Sequence, residues 1–286
     1  MLTDGMKQVI QQALHEDAPS GDVTSEKLIP ERSTALGKLH AREAGIISGL
    51  EVLREVFLQI DSTVIVESHC QNGAHFAQGD LLATISGNAR AVLRGERIAL
   101  NFMQRMSGIA TLTSEYVKRI EGTNAKILDT RKTTPGLREF ERVAVRDGGG
   151  VNHRFSLSDA VLIKDNHLIV LAEAGKDLTD ELIKLRARIP AGMTVEVEVD
   201  RLDQIPAVLA GGVDIIMLDN FALEELREGV ALVGGQALTE ASGGVTLETV
   251  REIALTGVDR ISVGALTHSA RAIDLALDVE IQIEPK

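Results

Sequence analysis

After Gly122 the chain settles into one rhythm: the short apolar stretches AKILD, AVLIK, TVEVEV, VDIIMLD, ALTEAS and RISVG alternate with segments of helical periodicity. That order predicts parallel strands joined by helical crossovers, hence a barrel or a doubly wound sheet. The polar residues favour the barrel. Almost every stretch ends in groups suited to chemistry: Asp129, Arg131 and Lys132, then Lys164, Asp165 and Asn166, then Glu196 and Glu198, then Asp219 and Asn220, then Glu240 and Ser242, then Gly264. Barrel enzymes collect their sites at the C-terminal ends of many strands. A doubly wound sheet concentrates function at one switch point, usually behind a glycine fingerprint, and no such fingerprint opens this half. Within TVEVEVD, Val195, Val197 and Val199 share one face and Glu196, Glu198 and Asp200 the other. Parallel strands are covered on both faces, so these carboxylates are expected inside a barrel mouth.

The residues before Ser107 follow another pattern. LGKLHAREAGIISGLEVLREVF reads as a strand, a turn and an amphipathic helix, and STVIVESHCQNGAHFAQGDLLATISG as short strands parted by glycine turns. The next segment, ARAVLRGERIALNFMQRMSGIATLTSEYVKRI, has helical spacing with Gly95 and Gly108 as interruptions. This half is expected to be a small α+β unit. At 286 residues and 44% hydrophobic composition, the chain can bury one large core or two smaller ones.

Charge narrows the function. The formal net charge is -12, yet Ile127 to His167 gathers Arg131, Lys132, Arg138, Arg142, Arg146, His153, Arg154 and Lys164. An acidic chain with 2% aromatics is unsuited to a nucleic-acid surface. No apolar run approaches membrane length and no export signal opens the chain, which leads us to expect a cytoplasmic protein without membrane partners. One cysteine, Cys70, excludes an intrachain disulfide and reads as a small buried hydrophobe. The cations are therefore expected to serve a small anionic ligand. Arg142 and Arg146, with Glu139 and Glu141 beside them, read as a solvated helix face. Arg131, Lys132, Arg154 and Lys164 stand instead at strand ends or beside the turn DGGGVNHR, with His153 among them. Guanidinium groups pair carboxylate or phosphate through two parallel hydrogen bonds. The glycine-bearing turns EASGGVT and SVGALTHS follow the last two strands, where barrels often hold phosphate.

The series DTRKTTPGLR, GGGVNHR, LIKDNH, EVEVD, MLDN, EASGGV and VGALTHS, in this order, resembles the quinolinate phosphoribosyltransferases, and the likeness runs from HEDAPSGDVTS to GALTHSARAIDLALD. The resemblance implies an N-terminal α/β sandwich domain over 1–107, joined by the C-terminal segment 270–286, and an open, incomplete α/β barrel over 108–269. It implies transfer of phosphoribosyl from phosphoribosyl pyrophosphate to quinolinate in NAD biosynthesis, with Mg2+ as cofactor. It also implies a homodimer with a shared site. Carried over by motif, Arg131, His153, Arg154 and Lys164 hold quinolinate together with Arg97 from a neighbouring subunit, and Lys132 lies between the pyridine and the leaving pyrophosphate. Glu198 and Asp219 meet the ribose hydroxyls and the Mg2+ region, while Ser242, Gly243 and Gly264 hold the 5′-phosphate. A phosphoribosyltransferase-like protein of molybdate transport, a Schiff-base aldolase using Lys164 and a noncatalytic anion binder each share part of the pattern. None accounts for the whole arginine and carboxylate set.

Overall fold

A computed structural model describes residues 2–283. In chain order the elements are α1 (Asp4–Asp17), α2 (Val23–Leu28), β1 (Thr34–Ala41), β2 (Gly45–Ile46), α3 (Leu50–Ile60), β3 (Ile65–Ser68), β4 (His75–Phe76), β5 (Leu81–Asn88) and α4 (Ala89–Arg119). They continue with β6 (Lys126–Leu128), α5 (Arg138–Asp147), β7 (Val161–Ile163), α6 (Asp165–Glu173), α7 (Leu178–Arg186), β8 (Val195–Val199) and α8 (Ile205–Ala210). Last come β9 (Ile215–Asp219), α9 (Leu223–Val233), β10 (Leu238–Ser242), α10 (Val250–Ala254), β11 (Arg260–Ser262), α11 (Ala265–His268) and β12 (Leu275–Gln282). The chain forms two compact units. Unit 1 runs to Ser114 and takes in Thr133–Gly149 and the chain from Thr267; unit 2 comprises Glu115–Lys132 and Gly150–Leu266.

In unit 1 an antiparallel sheet has the order β12-β1-β5-β3. Alternation along β1 buries Ala35, Gly37, Leu39 and Ala41 on one face. The C-terminal strand pairs with β1 along its length, from Thr34 opposite Gln282 to Ala41 opposite Leu275.

Gly95 and Gly108 do not interrupt α4, which is one helix of 31 residues. They are close-packing positions. A Cβ on Gly95 would stand 2.5 Å from the Phe57 ring, and one on Gly108 would stand 2.0 Å from the Arg271 carbonyl oxygen. The helix-propensity cost of each glycine is offset by an approach that alanine cannot make.

Arg105 and Glu141 correct the reading of α5 as an ordinary solvated face. Glu141 is fully buried, and its Oε1 accepts from Arg105 Nη2 at 2.7 Å while Oε2 accepts the Thr134 N–H at 3.2 Å. Arg105 also donates to the carbonyls of Thr267 and Ala270. Removing one partner of such a pair strands a buried charge. Arg105→Ala therefore destabilises the protein by roughly 3–5 kcal/mol in denaturant unfolding, and a loss no larger than that of a surface substitution would contradict this account.

Unit 2 carries the six predicted strands in one parallel sheet of order β6-β11-β10-β9-β8-β7. Among the described residues no ladder joins β6 to β7, so the barrel is open. The free edge of β6 is covered by one parallel bridge from Leu128 to Val151, with the Val151 N–H donating to Ile127 at 2.8 Å. Every residue of β8 except Glu198 is buried, as a strand covered on both faces requires. No helix among the described residues is long and apolar enough to cross a membrane. Cys70 is half-buried rather than a core residue, and burial raises its thiol pKa.

Candidate active site

Six parallel strands place all their C-terminal ends on one side, and a cavity of about 580 Å3 opens there in unit 2. That volume suits a small-molecule site. Every strand contributes at or near its end: Thr130, Arg131 and Lys132 follow β6, Lys164 follows β7, Glu198 lies on β8, Asp219 ends β9, Ser242 ends β10 and Ser262 ends β11. His153, Arg154, Asn220, Gly243 and Gly244 complete the polar lining. A larger cavity, about 1000 Å3, lies in unit 1 against α1 and α3. It is mostly lined by glutamine and mixed charges, and lacks a convergent cationic set.

The GGGVNHR turn is held by one buried carboxylate. Asp129, fully buried, accepts the His153 backbone N–H and the Asn152 side-chain N–H, each at 2.6 Å. This anchors His153 and Arg154 beside the end of β6. Arg154 donates to the Ala160 carbonyl at 3.1 Å, while its Nε is buried without a hydrogen-bond partner among the described residues. Burial and then the neighbouring Arg131 charge lower the Arg154 pKa, against the opposing charges of Glu196 and Asp159. The loop after it is pinned by Asp159, which accepts the N–H groups of Phe155 and Ser156 at 2.7 Å. Burial opposes ionisation of Asp159, but these donors bring its pKa down to about 2.

Lys164 donates to Glu198 at 2.7 Å, so a cation expected to hold the pyridine ligand and a carboxylate expected to meet the sugar donor touch each other. Across the cavity Asp219 accepts from Asn220 Nδ2 at 2.7 Å. Asn220 is left-handed, with φ 58°, and its N–H donates to the Ser242 carbonyl at 2.8 Å. Gly243 packs onto it. Its φ is +98°, and a Cβ there would lie 2.1 Å from Asn220 Oδ1, so only glycine fits.

Beneath these groups His153 Nε2 lies 2.9 Å from Glu196 and 3.4 Å from Glu240. Burial lowers the His153 pKa, but hydrogen bonds and charge from the two glutamates carry it up to about 10. Burial raises the Glu196 pKa against the His153 hydrogen bond.

The cavity thus gathers Arg131, Lys132, His153, Arg154, Lys164, Glu198, Asp219, Ser242 and Gly243 from the predicted set. Gly264 follows β11 and Arg97 is exposed on α4 of unit 1; neither is among the lining residues. The predicted site set omitted Thr130, Asn220, Gly244 and Ser262, although MLDN and EASGGV already displayed Asn220 and Gly244 at strand ends.

Family models for the quinolinate phosphoribosyl transferase N-terminal and C-terminal domains match residues 22–107 and 109–278. The chain belongs to the quinolinate phosphoribosyltransferase family. A probable nicotinate-nucleotide pyrophosphorylase [carboxylating] of Bacillus subtilis (strain 168) is 41% identical over 281 residues, covering 98% of this chain and 95% of the relative. The nicotinate-nucleotide pyrophosphorylase [carboxylating] of Mycobacterium leprae (strain TN) is 41% identical over 285 residues, with 96% and 98% covered. The crystal structure of NadC from Streptococcus pyogenes superposes with a TM-score of 0.93 at 38% identity, covering 100% of this chain and 99% of that one. The mixed architecture of parallel and antiparallel sheets is therefore that of the quinolinate phosphoribosyltransferase family.

Proposed function

We propose that the protein transfers phosphoribosyl from phosphoribosyl pyrophosphate to the ring nitrogen of quinolinate, releasing pyrophosphate and carbon dioxide and forming nicotinate mononucleotide for NAD biosynthesis. The observation that supports this most is the composition of the cavity, where five cationic side chains face two carboxylates and a glycine turn. A dianionic pyridine needs the first group, the ribose hydroxyls the second, and a 5′-phosphate the third.

Arg131, Arg154, His153 and Lys164 hold the two carboxylates and aim the ring nitrogen at the anomeric carbon, which lowers the barrier by orientation. As the bond to pyrophosphate breaks, that carbon becomes oxocarbenium-like, and Glu198 and Asp219 supply negative charge beside it. Lys132 stabilises the departing anion. The nitrogen–carbon bond formed makes the ring cationic, so the 2-carboxylate leaves as carbon dioxide, its electron pair held by the ring until a proton replaces it. Ser242 and Gly243 seat the 5′-phosphate. The carboxylate oxygens of Glu198 and Asp219 suit a hard cation, and Mg2+ carried mainly by the donor's pyrophosphate would neutralise charge developing on the leaving group. Arg97 is exposed on α4, and we assign it to the quinolinate pocket of the partner subunit in a homodimer.

The test is substrate choice. With Mg2+ and phosphoribosyl pyrophosphate the protein converts quinolinate to nicotinate mononucleotide, and turns over nicotinate at least roughly a hundredfold more slowly, because the cations that grip the 2-carboxylate are left without a partner. Equal use of nicotinate would overturn the assignment of Arg131 and Arg154.

A further inference from the structure

The parallel barrel buries two carboxylates directly below the cavity. Glu196 on β8 is 3% exposed and Glu240 on β10 is 0% exposed. Neither is explained by packing, since isolated buried carboxylates are costly. Both turn towards one imidazole: ligand-capable atoms of His153, Glu196 and Glu240 lie within 4.8 Å of one another. Glu240 also accepts from the Ser262 hydroxyl. One oxygen of each glutamate, Glu196 Oε1 and Glu240 Oε2, is buried without a hydrogen-bond partner among the described residues. Such a pair calls for a buried cation.

We propose that Glu196 and Glu240 are positioning residues that hold the His153 ring as a fixed imidazolium, making it a permanent cation of the substrate cavity. The inference rests on the reading of His153 as a quinolinate-binding residue. The chemical consequence is charge: a neutral ring adds none to the cavity, whereas an imidazolium held at Nε2 by the two carboxylates adds a positive charge to those of Arg131, Lys132, Arg154 and Lys164, and so attracts an anion. The charges that act on the ring are those of Glu196 and Glu240; Asp129 accepts the His153 backbone N–H, the Arg131 charge acts on Arg154, and the Arg260 charge acts on Glu196. The raised His153 pKa agrees with this arrangement.

The experiment is nitrogen-detected NMR of the histidine rings in the full chain, with His153 assigned through His153→Gln. At about pH 8, where an ordinary imidazole is neutral, both ring nitrogens of His153 carry protons. In Glu196→Gln and in Glu240→Gln the ring titrates closer to the ordinary range. Quinolinate affinity by calorimetry then falls at about pH 8 by roughly tenfold or more, as loss of one cation from the set facing a dianion implies. It recovers towards wild type at about pH 6, and affinity for phosphoribosyl pyrophosphate is unchanged. Recovery at low pH separates charge from damage to the fold. A neutral His153 in the wild type overturns the proposal without recourse to any variant. So does a loss of affinity that low pH leaves in place, or Mn2+ alone binding stoichiometrically at His153, which would make the cluster a metal site. If the ring is doubly protonated but quinolinate does not bind, the charge state stands and the substrate reading fails.

Discussion

Lys132→Ala is expected to lower kcat by roughly 10^2–10^3-fold while leaving quinolinate binding largely intact. Lys132 is exposed at the cavity rim after β6, so its removal leaves no hole in the core and stability should change by less than about 0.5 kcal/mol. The cation acts where charge develops, on the departing pyrophosphate, and so its loss appears in the chemical step rather than in the affinity of the pyridine. Steady-state kinetics with calorimetric titration of quinolinate separates the two. Unchanged kcat with weakened quinolinate binding would move Lys132 into the set that holds the carboxylates.

That inactive variant supplies the second large effect. Mixing Arg97→Ala protein with Lys132→Ala protein under subunit exchange should restore activity that neither has alone. If Arg97 serves the partner's pocket, a mixed dimer carries both lesions in one site and none in the other. Random exchange of equal amounts makes half the dimers mixed, with one of two sites intact, so about a quarter of the wild-type rate returns. If Arg97 served its own chain, every site would keep one lesion. No recovery, with exchange verified by mass, would refute the shared site.

The strands of unit 2 were legible because a buried parallel strand writes itself as a short apolar run, and because a strand that ends in a site carries polar residues at its C-terminal end. VDIIMLD and β9 agree to within two residues. The alternation of TVEVEVD was right for Glu196, which is buried, and for Glu198, which is nearly so, but Asp200 lies beyond the end of β8 and is exposed. Continuity of α4 was not legible, since Gly95 and Gly108 break helices by propensity and only tertiary neighbours, Phe57 and the Arg271 carbonyl, reveal them as contact points. Glu141 was misread for a related reason. Its burial depends on Arg105, 36 residues away, and no local pattern announces that pair. The partners of His153 lie further off still, on two strands that sequence spacing does not bring together.

The central claim is one coupled reaction, and the direct measurement is the ratio of carbon dioxide to pyrophosphate released when purified protein, Mg2+, quinolinate labelled in its 2-carboxylate and phosphoribosyl pyrophosphate are incubated together. The account predicts equal release of both, each requiring the other substrate. Pyrophosphate without carbon dioxide, or neither product from folded protein that binds both ligands, would contradict it.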